Sequence, residues 1–213
     1  MKSDEILQAL SWRYAVKIFD PSKKVSEEDL HAILESGRLA PSSVGLEPWK
    51  FIVVKNDALR QKLRKASFDQ PKVTDAAYLV VIAHRTDAEN LPQELVERAA
   101  KAQYKTEADL EGLRRMAEGS VKSKSHSADC LQGWLAAQSY IPLGMMIETA
   151  ALLGIDTTPM EGFHPGEVDD ILGLRAKHLH ATTMLALGYR GDDPHATYPK
   201  TRRAFEEVVE MVD

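Results

Sequence analysis

The chain has 213 residues, 44% of them hydrophobic and 28% charged, a composition that excludes disorder and low-complexity architectures. Its 27 Lys and Arg against 32 Asp and Glu leave a formal net charge of −5, which argues against a general nucleic-acid binder. A single cysteine, Cys130, rules out an intrachain disulfide framework and any multi-cysteine metal site.

The first ten residues carry Asp4, Glu5 and Gln8 and lack the apolar core of a signal peptide. Ile6, Leu7, Leu10 and Val16 predict a short first helix ending near an extended stretch at 17–19. Ser26 followed by Asp29 resembles a capping box, opening a helix with Leu30, Ile33, Leu34 and Leu39 on its apolar face and stopping at Pro41. Residues 49–54 form a β-branched and aromatic run of strand length, followed by a short basic helix over 58–66. The continuous apolar run at 78–83 predicts a strand buried on both faces.

Residues 92–127 are polar and helix-prone, with Leu95, Val96, Ala99, Leu110, Leu113 and Met116 at helical spacing. From 130 to 153 the chain is apolar nearly all round, which predicts one buried helix, kinked at Pro142 and ending at Gly154. Gln132, Gln138 and Pro142 within it argue against a membrane span. A short helix over 165–172, a buried strand at 182–187 and an amphipathic helix over 203–212 complete the chain. The reading is one soluble, cytoplasmic domain over 1–213, with four or five strands among six or seven helices.

Generic motifs identify no chemistry. No two glycines lie two apart and no Gly-Lys-Ser/Thr occurs, so dinucleotide fingerprints and P-loops are excluded. His178 and His180 read either as two imidazoles on one strand face or as surface histidines at a strand start. Pro41-Ser42-Ser43 lacks the glycine-flanked elbow of a serine nucleophile and reads as helix-stop and turn. Arg13 and Lys17 near one end, with Lys200, Arg202 and Arg203 near the other, suit either a phosphate clamp or plain surface charge.

Four blocks in order resemble the nitroreductase family of flavoproteins. They are Arg13-Tyr-Ala-Val-Lys-Ile-Phe-Asp20, Ala40-Pro-Ser-Ser-Val-Gly-Leu-Glu-Pro-Trp49, Thr158-Pro-Met-Glu-Gly-Phe163, and Ala186-Leu-Gly-Tyr-Arg190 with Pro199-Lys-Thr-Arg202. The look is closest to the oxygen-insensitive NAD(P)H nitroreductase and dihydropteridine reductase branch. The resemblance implies an α+β fold with a central, mostly antiparallel sheet flanked by helices, in an intertwined homodimer binding FMN at the subunit interface. It also implies ping-pong electron transfer from NADH or NADPH to a nitroaromatic, quinone or pterin-like acceptor. Specialised flavin chemistry of a dehalogenase or flavin-destructase kind, or a non-enzymatic flavin-binding regulator, are the alternatives on this fold.

Carried over by position, the resemblance puts Arg13, Lys200 and Arg202 on the FMN phosphate, with backbone contacts from Tyr14 and Ala15. It puts Lys17 and Lys72 beside the flavin's pyrimidine edge, with Asp69 and Gln70 nearby. Pro159, Met160, Glu161 and Gly162 would pass along the ring system, and Pro41, Ser42 and Ser43 would reach it from the other subunit. Lys17, Lys72 and Glu161 would tune the flavin, with no side chain as obligate catalyst and no metal. Three positions depart from the family pattern: Ala15 replaces a serine, Gly45 an asparagine, and Asp69 an asparagine.

Overall fold

A computed structural model describes residues 2–212. Four strands, β1 (Trp49–Val54), β2 (Tyr78–Arg85), β3 (Asp156–Met160) and β4 (Leu179–Gly188), form one sheet in the order β1-β2-β4-β3. Every pairing is antiparallel. The nine helices among the described residues are α1 (Ser3–Trp12), α2 (Glu27–Arg38), α3 (Asp57–Ala66), α4 (Lys72–Asp75), α5 (Leu91–Gln103), α6 (Glu111–Lys124), α7 (Ala128–Gln138), α8 (Tyr140–Leu152) and α9 (Pro165–Leu172). The fold is α+β, as the sequence implies.

The sheet is covered on both faces, which is why its central strands are apolar without alternation: Leu79, Val80, Val81, Ile82 and Ala83 are all fully buried. On one face Val80, Ile82, Leu185 and Leu187 meet Leu30 and Ile33 of α2 and Leu143 and Met146 of α8. On the other, Leu79, Val81 and Ala186 meet Leu63 of α3 and Val168 of α9. A third cluster joins Leu46 and Leu91 to Ala117 of α6 and Leu135 of α7. Burying each such Leu or Ile stabilises the fold by about 1.5–3 kcal/mol.

Several expected boundaries move, each for a local reason. The first helix ends at Trp12, so Val16 is buried outside it, and no residue of α1 is buried. Ser26 caps α2 as expected, its Oγ accepting the Asp29 N–H at 3.0 Å. Leu39 is 61% exposed because it is already the C-cap, and Gly37 takes the buried place against Met146. Met116 is exposed and Ala117 buried in its stead. The apolar stretch expected as one kinked helix is two helices parted at Ser139. Pro142 lacks an N–H and its ring crowds the carbonyl four residues back, Gln138, where α7 stops. Cys130, at the start of the stretch expected to be buried, is only half-buried. The tail expected to be helical holds a single turn at Phe205–Glu207, with Phe205, Val208 and Met211 exposed. A helix that short needs an apolar surface to cover, and these apolar side chains lie open instead.

Candidate functional site

Residues 13–19 pass from the end of α1 along the outer edge of β3. Ala15 bridges Thr157 in parallel, Phe19 bridges Arg190, and the Thr158 hydroxyl donates to the Val16 carbonyl at 2.5 Å. This threading brings Arg13 to the C-terminal segment, where the Lys200 ammonium donates to the carbonyls of Leu10 (3.0 Å) and Arg13. Burial, then the charge of Arg202, lowers the Arg13 pKa. Burial, then Arg13 and Arg202, lowers that of Lys200. Three cations are thus held close with no ion pair among the described residues, and the Arg13 Nε is buried without a hydrogen-bond partner. An unpaired buried guanidinium N–H is costly unless an anion completes it, so the cluster fits a phosphate dianion.

A second cationic pair lies beyond it. The Lys72 ammonium, at the start of α4, has its pKa lowered by burial and then by Lys17. The loop before α4 carries Phe68 and Asp69 in left-handed conformation, φ 52° and 55°. Gln70 fastens this loop to the one after β3, donating to the Gly162 carbonyl at 2.7 Å and to that of Ser67 at 3.0 Å. The Asp69 carboxylate accepts from the Arg64 Nε at 2.9 Å, so its partner is the arginine five residues back and not Lys72.

Pro159, Met160 and Glu161 line an apolar slot of about 410 Å³, closed on the other side by Tyr140, Leu143, Gly144 and Ile147 of α8. The Tyr140 hydroxyl donates to Glu161 at 2.6 Å, and burial, then this carboxylate, pushes its pKa up to about 12.

Among the described residues no hydrogen bond joins Pro41, Ser42 or Ser43 to the other nominated residues. Ser42 Oγ accepts the Glu47 N–H at 2.8 Å, and the Ser43 N–H donates to Gln138 at 2.7 Å. Between these ties Val44, Gly45 and Glu47 all have positive φ, 54°, 74° and 49°. Gly45 therefore fills a left-handed position, where Asn is the other residue commonly tolerated, so the family's Asn and this Gly meet one backbone requirement.

Two buried acids that motif reading passed over hold the site together. Asp193 is 5% exposed and accepts from the Tyr14 hydroxyl (2.9 Å), the Lys17 N–H (2.7 Å) and His195. Burial alone would raise its pKa, but those hydrogen bonds outweigh burial and hold the carboxyl well below the usual range. Asp156 pairs with Arg190, Nε to Oδ1 at 2.9 Å, and the Arg190 guanidinium lies 4.3 Å from the Trp12 ring centre and 4.7 Å from that of Tyr14. Tyr14, expected to act through its backbone, thus also carries side-chain structure. Sequence distances of 179 and 34 residues hide both networks from any local pattern.

The histidine pair separates. His178 is left-handed, φ 54°, and lies before β4, while His180 pairs across the sheet with His84. No helix among the described residues is long and apolar enough to cross a membrane.

The nitroreductase family model matches residues 10–189. A Staphylococcus aureus protein provisionally named an NAD(P)H nitroreductase is 41% identical over 216 residues, covering 97% of this chain and 95% of its own. Among solved structures, a Bacillus subtilis protein provisionally named a nitroreductase superposes with a TM-score of 0.85 at 20% identity, over 99% of this chain and 100% of that one. A similarly named protein from Exiguobacterium sibiricum, crystallised in complex with FMN, gives 0.80 at 21% identity, over 100% and 98%.

Proposed function

The chain belongs to the nitroreductase family, and from that premise we propose that it is an FMN-dependent NAD(P)H oxidoreductase. The observation that carries this reading is the unpaired cluster of Arg13, Lys200 and Arg202, with its orphaned buried Nε, on the same segment as Lys17. Arg13, Lys200 and Arg202 hold the phosphate. Lys17 and Lys72 set positive charge at the pyrimidine edge, where arriving electrons leave net negative charge. Pro159, Met160, Glu161 and Gly162 flank the ring system, and Asp69 and Gln70 close the near loop. Bound there, FMN would supply two-electron chemistry between NADH or NADPH and a nitroaromatic, quinone or pterin-like acceptor, in a ping-pong cycle.

The same reading makes residues 1–213 one flavin-binding domain of a cytoplasmic homodimer, in which Pro41, Ser42 and Ser43 serve the partner's flavin. The attachment of Ser43 to Gln138, next to the exposed residues of α7 and α8, supports a site shared across that face.

The decisive test is the double variant Lys200→Ala, Arg202→Ala. Two charge-assisted contacts of roughly 1.5–3 kcal/mol each disappear, so FMN affinity falls at least about a hundredfold. Riboflavin, which has no phosphate, loses far less. Equal losses for the two ligands would place these residues in folding and overturn the clamp.

A further inference from the structure

At the end of the sheet, under α7, lies a cavity of about 590 Å³ that shares no lining residue with the slot beside Glu161. Two histidines face it from the sheet. His84 of β2 and His180 of β4 are register partners, so both side chains leave the same face, their rings edge to face at 5.4 Å. A bulge lies beside them: Ile82 pairs with Thr183 and Ala83 with Ala181, leaving Thr182 as the extra residue. Ala136 of α7 and Leu179 add apolar wall.

Hydrogen bonding fixes which nitrogen of each ring carries the proton. The Gln132 amide nitrogen lies 3.4 Å from the Thr86 carbonyl, which only accepts, so the amide oxygen is the atom that meets His84 Nε2 at 3.1 Å. His84 therefore holds its proton on Nε2, and its Nδ1 accepts from the Thr182 hydroxyl at 2.8 Å. Both nitrogens are used, so this histidine offers a ligand only its ring. His180 differs. Its Nδ1 lies 2.6 Å from Asp169, a carboxylate 1% exposed whose other oxygen accepts the Ala181 N–H at 2.9 Å. The carboxylate accepts, so Nδ1 carries the proton and Nε2 of the neutral ring holds a lone pair. The His180 side chain keeps 39% of its surface although its Nδ1 edge meets a buried carboxylate, so the open edge is the one with Nε2. No hydrogen bond among the described residues uses that lone pair. Arg175, also in the lining, is already matched by Asp170 at 3.1 Å and Asp169 at 3.8 Å, so no unpaired cation awaits an anion here.

We propose that this cavity binds a neutral phenol, its O–H donating to Nε2 of His180 and its aromatic body lying against the His84 ring, Ala136 and Leu179. The unused atom of the histidine pair is an acceptor, so the ligand has to bring a donor, and a phenolic O–H donates more strongly than an alkyl one. A carboxylate brings acceptors only and would set lone pairs against a lone pair. Asp169 fixes the plane of the imidazole and favours the positive charge that gathers on the ring as it accepts. The volume falls within the roughly 300–1,000 Å³ of small-molecule sites, which pair an apolar lining with a few placed polar groups. The assignment is independent of the flavin reading.

Gly133 lines the cavity and is also exposed on α7, so the test uses the protein as purified, in its own oligomeric state. At about pH 8, where an ordinary imidazole is neutral, calorimetric titration gives one 2-naphthol bound per chain. The ether 2-methoxynaphthalene, which lacks the donor, and 2-naphthoate, which has acceptors only, each bind at least about tenfold more weakly. His180→Asn keeps an N–H for Asp169 but removes the acceptor, and it abolishes the preference for naphthol over the ether. Ala136→Leu, which fills the cavity from α7 and leaves the dyad intact, lowers naphthol affinity at least about tenfold with Tm unchanged or raised. The double variant Lys200→Ala, Arg202→Ala keeps the naphthol site. No saturable binding, equal affinity for naphthol and its ether, tighter binding of naphthoate, or wild-type affinity in Ala136→Leu would each overturn the proposal. So would binding lost in the Lys200, Arg202 variant but kept in both cavity variants, which would put the ligand on the flavin.

Discussion

Asp193 shows how one buried carboxylate can organise residues far apart in sequence. It holds Tyr14, the Lys17 backbone and His195 at once, fixing the segment that carries Lys17 against the one that leads to Lys200. Because the folded-state pKa is depressed, its contribution is full above the unfolded value of about 3.9 and is lost as pH falls through the folded one. Asp193→Asn therefore lowers stability by roughly 1.5–3 kcal/mol at pH 7, and by clearly less at pH 3. Urea unfolding at the two pH values checks this, and a gap that stays constant or widens towards acid rejects it. Asp69 calls for a different experiment. Its carboxylate is paired with Arg64 and its side chain is 78% exposed, so water and the guanidinium both mask it. In the FMN-loaded protein, Asp69→Asn raises the midpoint potential more in an Arg64→Ala background than in the wild type. Equal shifts in a redox titration of the four proteins would show that Arg64 does not mask the Asp69 carboxylate.

Helix packing sets the tolerance of the elements around the site. α2 crosses α8 at Gly37, where an added Cβ would lie 2.2 Å from Met146 Cε, 3.1 Å from its Cγ and 3.2 Å from the Phe51 ring. Alanine gains at most about 1 kcal/mol of helix propensity, and overpacking costs about 1–3 kcal/mol. Gly37→Ala is accordingly destabilising, seen as a lower denaturation midpoint with unchanged m-value; a higher midpoint would mean the helices have room to part. The break between α7 and α8 has the larger functional consequence. It places Gln138 against the Ser43 backbone on one side and Tyr140 against Glu161 on the other, so a single interruption serves both loops.

At the scale of the whole molecule, the exposed residues of α7 and α8 include Gly133, Ala137, Ile141 and Gly144, small or apolar on one side of the pair. Homodimer formation through this side gives sedimentation at about twice 23.7 kDa. Ala137→Glu introduces a charge that a close helix contact cannot solvate, so the particle falls to 23.7 kDa and FMN retention falls with it. A variant that stays dimeric, or a monomer that retains FMN fully, refutes the shared site.

The sequence by itself determined the elements whose signal is local. The strand at Trp49–Val54 and the helix at Pro165–Leu172 have the limits read from composition and punctuation, and Ser26 caps its helix as its spacing implies. It also nominated Arg13, Lys200 and Arg202, because four blocks in order survive as a pattern. Only the tertiary structure decided what those residues face. Arg13 and Lys200 meet because the chain after α1 threads along β3, Asp69 finds Arg64 because two residues turn left-handed, and His84 meets His180 through a bulge. Amphipathic spacing overreached in the tail, and continuous apolarity did so in the stretch around Ser139. There the outcome depends on whether a surface exists to cover and on a proline three residues away, and neither is carried by periodicity.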